Sequence, residues 1–130
     1  SLVPLFKGEK ASFGDRALYW HFPAYLQSYS VWDEQRDPLF RSRPCSVIRV
    51  GDWKLHQYFE DGAVELYNLR EDIGETTNLA TRESDRARKL LTRLESWRKS
   101  VKAPVPTEPN PRYDPQAEAA AIAAKQSKMN

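Results

Sequence analysis

The sequence predicts an α+β fold, a small antiparallel sheet of about four strands packed against one long helix and followed by an extended Pro-rich tail. Three observations carry that expectation. Short runs rich in β-branched and aromatic residues recur between residues 17 and 69, separated by Gly-Asp and Asp-Gly pairs. A later stretch, residues 84–101, repeats its apolar residues at helical spacing. Five prolines then crowd residues 103–115, where neither a helix nor a central strand could continue.

In chain order, "SLVPLFKGE" (residues 1–9) is too short and abrupt to form an element with its own core, and reads as the trailing end of something that precedes it. "RALYWHFPAY" (16–25) is dense in aromatics and suits a strand ending near Pro23. Residues 26–44 mix polar residues, prolines and isolated aromatics without a period, and read as a long loop that is functional or covered by a partner. "SVIRV" and "WKLHQYF" form two strands joined by Gly51-Asp52. In the second, Trp53, Leu55, Gln57 and Phe59 alternate with Lys54, His56 and Tyr58. Asp61-Gly62 signals a type I′ hairpin turn into "VELYNL".

"REDIGETTNLA" (70–80) is rich in side chains that hydrogen-bond nearby backbone. In the helix that follows, Ala87, Leu90, Leu91, Leu94, Trp97 and Val101 form an apolar stripe that needs a sheet to cover. The strand meander places Trp53 and Leu55 against Leu94 and Trp97. "QAEAAAIAAKQ" favours helix but offers only Ile122 as a large apolar anchor, so a helix there is marginal alone. The expected divisions are therefore residues 1–9, a domain over 10–102, and a tail over 103–130.

Length and composition fit one soluble globular domain: 130 residues, 40% of them hydrophobic and 29% charged. The 20 basic and 18 acidic residues are interspersed and leave a net charge of +2, too weak a field to favour nucleic acid. Apolar runs are too short to span a membrane. One cysteine, Cys45, allows no internal disulfide and leaves the redox compartment open. The chain opens on Ser1 rather than methionine, as a processed protein or a piece of a longer one does.

Residue chemistry supplies no complete active site. Cys45 precedes a strand and reads as a packed thiol, with no base placed beside it by sequence. His21 and His56 lack metal-ligand spacing to a Cys or a second His. The aromatic cluster around Trp20, Phe22, Tyr25 and Trp32 can supply core or stack on sugar rings. His21 interrupts an aromatic run at a strand end, where it serves either as a hydrogen-bonded structural residue or as a substrate contact.

The ordered series "SLVPLFKG", "RALYWHFPAY", "SVIRVGDWKL", "FEDGAVELYNLREDIGETTNLA" and "LLTRLESWR" resembles the C-terminal region of type I, formylglycine-dependent sulfatases of the alkaline-phosphatase-like superfamily. The resemblance runs from residue 1 to about residue 115 and implies the same small sheet-and-helix domain. On it, residues 1–9 close a missing N-terminal catalytic domain, which is the implied partner, and "IRVGDWKL" is scaffold rather than catalytic site. That missing domain would carry the Cys-x-Pro-Ser-Arg nucleophile, as formylglycine, and the calcium ligands. Cys45-Ser46-Val47-Ile48-Arg49 lacks the proline of that motif and cannot replace it.

The resemblance further implies that His21 contacts a sulfated substrate at the cleft rim, with Tyr25 and Trp32 on the adjacent loop, and that the parent enzyme is periplasmic or extracellular. Cutting such a domain from its neighbour exposes residues such as Phe13, Trp20, Phe22 and Phe40, which predicts self-association of the chain alone. The alternative reading is an independent carbohydrate-binding or protein-interaction module that uses the same aromatics.

Overall fold

Successive side chains of a strand point to opposite faces, so each strand offers one row to a core and one to the other side of the sheet. In the computed structural model, which describes residues 3–8, 16–27 and 39–127, four strands form one antiparallel sheet: β1 (Ala17–Phe22), β4 (Cys45–Val50), β5 (Trp53–Tyr58) and β6 (Val64–Asn68), adjacent in that order. The register pairs Tyr19 with Ile48, Ile48 with Leu55, and Leu55 with Leu66, so these side chains lie in one row across the sheet. A row of apolar groups on one face needs a cover, and α2 (Ser84–Ser100) supplies it.

Ile48, Leu55 and Leu66 from the sheet and Ala87, Leu90 and Leu94 from α2 make the core. Trp53 and Trp97 pack at its margin, and Trp97 stacks on Tyr19 with ring centroids 4.6 Å apart and planes within 5°. The expected meeting of Leu94 and Trp97 with the β5 side chains is therefore present. Asp85 in the first turn of α2 and Arg98 and Lys99 in its last turn complement the helix dipole.

One of the two hairpin turns is as expected and the other is not. Gly51 takes a φ of 57° and Asp52 does not go positive, the sign pattern of a type II′ turn with glycine first. The predicted type I′ turn at Asp61-Gly62 is not formed, because only Gly62 has a positive φ. Here β5 ends one residue earlier than predicted, a four-residue loop (59–62) is closed by the Tyr58 N–H donating to the Ala63 carbonyl, and the Asp61 carboxylate accepts from the Ala63 N–H. A side chain that satisfies backbone in this way favours the longer loop over the tight one.

The far edge of β6 is closed by the turn-rich segment. Asn78 Oδ1 accepts from the Leu66 and Ala80 N–H groups, and the Leu79 N–H donates to the Leu66 carbonyl. An edge strand is thereby partly covered rather than left as a template for pairing.

Within the segment read as loop, β2 (Leu26–Gln27) and β3 (Phe40–Ser42) form a two-stranded ladder, too short for any alternation signal to reveal it. Val3–Phe6 form a single helical turn, α1, and Pro115–Ser127 form α3, which has no fully buried residue.

α2 ends in a Schellman motif built without glycine. The Lys102 N–H donates to the Lys99 carbonyl and the Ala103 N–H to the Arg98 carbonyl, while Lys102 sits at φ 51°. This left-handed turn costs a lysine about 1 kcal/mol and sends the Pro-rich strand back toward the end of the sheet.

Candidate functional site: the sheet end and the open face

Two regions gather side chains that the hydrophobic core does not use. The first lies at the end of the sheet where β1 finishes and β4 begins. There His21 faces the same side as Tyr19, and its register partner is Ser46, which is fully buried. His21 Nδ1 lies 2.7 Å from Ser46 Oγ, and Nε2 lies 2.7 Å from the Pro104 carbonyl oxygen. A carbonyl only accepts, so Nε2 carries a hydrogen, and in the neutral ring Nδ1 accepts from the Ser46 hydroxyl. Both nitrogens are thus engaged within the chain, and the imidazole fastens the tail to the sheet.

Tyr25, just before β2, is half exposed and packs its ring on Phe40 with centroids 4.8 Å apart. Its hydroxyl donates to Glu60, and burial together with that carboxylate pushes the phenol up to about 12. Arg43 joins this group to the tail. Its Nη1 donates to Glu60 at 2.6 Å and its Nη2 to Glu118 of α3 at 3.0 Å, while Tyr113 also donates to Glu118.

Two further polar atoms, Gln57 Oε1 and Arg98 Nη1, are buried without a hydrogen-bond partner among the described residues. The Arg98 guanidinium instead lies over the Phe59 ring, 5.3 Å from its centroid. Of the three residues expected at a rim, His21 and Tyr25 both lie at this end of the fold, and Trp32 falls outside the described residues.

The second region is the face of the sheet turned away from α2. Leu18, Trp20 and Phe22 project from β1 and are 40%, 49% and 41% exposed; in β4, the partners of Trp20 and Phe22, Val47 and Cys45, are buried, whereas Leu18 pairs with the exposed Arg49. Beside this strip, Glu75 reaches over the sheet from the loop before α2. Its carboxylate lies 2.6 Å from Lys54 Nζ and 2.9 Å from His56 Nε2, and its own backbone is held at φ 56°. A non-glycine residue in that conformation is a strained position, held by its surroundings. Tyr58 and Tyr67 both donate to Glu65, and burial with that carboxylate pushes the Tyr67 phenol far above its ordinary range.

Sequence reading singled out none of this cluster as a unit. The signal available to it was the alternation of Lys54, His56 and Tyr58 on one face, but Glu75 arrives from a separate loop.

Burial holds His56 below its ordinary pKa and the Lys54 charge adds to this, while Glu75 and Glu65 oppose it. The folded chain therefore takes up that proton less readily than the unfolded one. Its contribution to stability is complete above the unfolded value of 6.5 and is lost as pH falls toward the lower folded value. Denaturation midpoints measured from about pH 7.5 down to about pH 5 are expected to fall, and to fall less in His56→Gln. Equal slopes in the two chains would remove His56 as the cause.

Cys45 behaves as packed core. Burial pushes its thiol up, away from the thiolate, against the weaker opposing effect of Ser42 at 3.8 Å. Among the described residues no three His, Cys, Asp or Glu side chains converge as metal ligands. Among the described residues the donor set does not fit the calcium and formylglycine chemistry that the sequence resemblance implies for a separate catalytic domain. Among the same residues no helix is long and apolar enough to cross a membrane.

No family model matches the chain. A sulfatase of Formosa agariphila is 38% identical over an alignment 90 residues long that covers 62% of this chain and 14% of that protein, so the chain spans only a small part of the relative's length. Among solved structures, a 2-O GAG sulfatase and a protein of Bacteroides thetaiotaomicron VPI-5482 assigned to the sulfatases each superpose with a TM-score of 0.56 and 24% identity. In each case the match covers 86% of this chain and 23% of the other. The structural matches speak for the fold, and the sequence match ties that fold to a sulfatase. The resemblance to a sulfatase C-terminal region is borne out.

Proposed function

We propose that the chain serves as the C-terminal domain of a sulfuric ester hydrolase, in which the open sheet face packs on a catalytic domain and the His21–Tyr25 end lines the substrate cleft. The observation that carries this reading is the asymmetry of the sheet. One face is closed by α2, whereas the other presents a continuous apolar strip, Leu18, Trp20 and Phe22, over buried Val47 and Cys45. A strip of that kind fits a domain interface, and the sulfatases that share the fold are several times longer than the chain.

On this reading the catalytic domain supplies formylglycine and calcium, residues 1–9 lead out of it, and the whole enzyme is exported to the periplasm or beyond. The chain alone would pair the same strip with a second copy. His21, Tyr25 and Trp32 then contact the sulfated substrate, and His21 can donate from Nε2 once the Pro104 carbonyl yields.

Turnover of a sulfate ester by the full-length enzyme tests the rim. His21→Ala is expected to lower kcat/KM by tenfold or more, roughly 1.4 kcal/mol, beyond the loss of stability that follows from leaving the buried Ser46 hydroxyl without its imidazole partner. Retained activity, or a loss that only follows a fall in stability, would make His21 a fastening for the tail and remove the rim.

A further inference from the structure

We propose that residues 103–127 form a displaceable strap over the sheet end, with the Glu118 carboxylate occupying on Arg43 the place that a sulfate or carboxylate group of an anionic saccharide would take. The inference rests on the cleft-rim reading above and adds to it a residue, Arg43, and a competitor within the chain. The strap is fastened at two points far apart in sequence, the Pro104 carbonyl on His21 and Glu118 on Arg43.

α3 has no fully buried residue, and its half-buried positions, Glu118, Ile122 and Lys125, form one stripe with a single large apolar side chain. That stripe contributes too little apolar burial for a strong anchor, so the placement of α3 depends on its polar contacts.

Charge makes the strap a competitor. Arg43 faces both Glu60 and Glu118, so one positive charge already meets two negative ones at this point. A further anion would compete with Glu118 for the guanidinium, whose planar fork matches sulfate and carboxylate oxygens equally well. Release of the strap also frees His21 Nε2 at the same end of the sheet, next to Tyr25. The ligand class that fits is therefore a saccharide bearing sulfate or carboxylate groups.

The test uses the whole chain, with a sulfated chondroitin tetrasaccharide and its unsulfated, carboxylate-bearing counterpart as probes. Glu118→Gln is expected to tighten binding of at least one probe by about threefold to fivefold, the scale of an ion pair of this exposure. Glu108→Gln, which makes the same charge change on an exposed tail residue outside the contact, should leave affinity nearly unchanged. Adding Arg43→Gln to Glu118→Gln should abolish the gain. In the wild-type chain, saturating saccharide should speed hydrogen exchange in residues 115–127 while residues 45–68 keep their protection. A preference for the sulfated probe assigns the site to sulfate, and equal binding assigns it to carboxylate. Equal affinities for Glu118→Gln and Glu108→Gln, or unchanged exchange in α3 at saturation, would overturn the strap. If that happens while His21→Ala still impairs the full-length enzyme, the rim reading stands without it.

Discussion

Leu94→Ala is expected to destabilise the chain by about 3 kcal/mol, the loss typical of truncating a fully buried leucine. Leu94 is fully buried on α2 and belongs to the same cluster as Ile48, Leu55 and Leu66, each also fully buried. Removing three carbons there forfeits their transfer free energy and leaves a cavity between helix and sheet that a register-locked strand row cannot close. In a domain of this size that corresponds to a fall in Tm on the order of 10 °C. Denaturant unfolding should show a lower midpoint with an unchanged slope. A loss below about 1 kcal/mol would mean that α2 does not seal this face of the sheet.

Trp20→Glu separates the two faces of the sheet by experiment. Trp20 is 49% exposed and sits on the face away from α2, so in the isolated chain, kept dilute enough to be monomeric, the substitution should cost less than about 1 kcal/mol. In a full-length enzyme whose catalytic domain covers the strip, the same change would bury a carboxylate among Leu18, Phe22 and Val47. The cost there should be about 3 kcal/mol or more, the lost indole burial adding to the desolvation of the charge. Thermal unfolding of the two proteins side by side gives the result. A full-length protein that tolerates Trp20→Glu as well as the isolated chain does would show that the open face is not the docking surface.

Much of the fold was legible because it is local. The alternation in β5 and the helical spacing of Ala87, Leu90, Leu94 and Trp97 each assign inward and outward faces within a few residues, and the structure keeps those faces. The Gly51-Asp52 turn was legible for the same reason, since glycine supplies a positive φ at little cost. Lys102 defeats that kind of reading. It adopts a left-handed conformation that its residue type disfavours, held there by the two Schellman hydrogen bonds and by the strap beyond it.

The candidate site was legible only in part. His21 stood out as a polar interruption of an aromatic run, and Tyr25 as one of the aromatics beside it that the family resemblance implies at the rim, but their partners did not. Pro104 lies 83 residues from His21, Glu118 lies 75 from Arg43, and Glu75 lies 21 from Lys54. By itself the sequence determined which residues are apolar on which period, and therefore the strands, the helix and the face each buries. The tertiary structure decided which polar groups meet, because a hydrogen bond or ion pair depends on where separate loops bring the chain in space, and no short-range period records that.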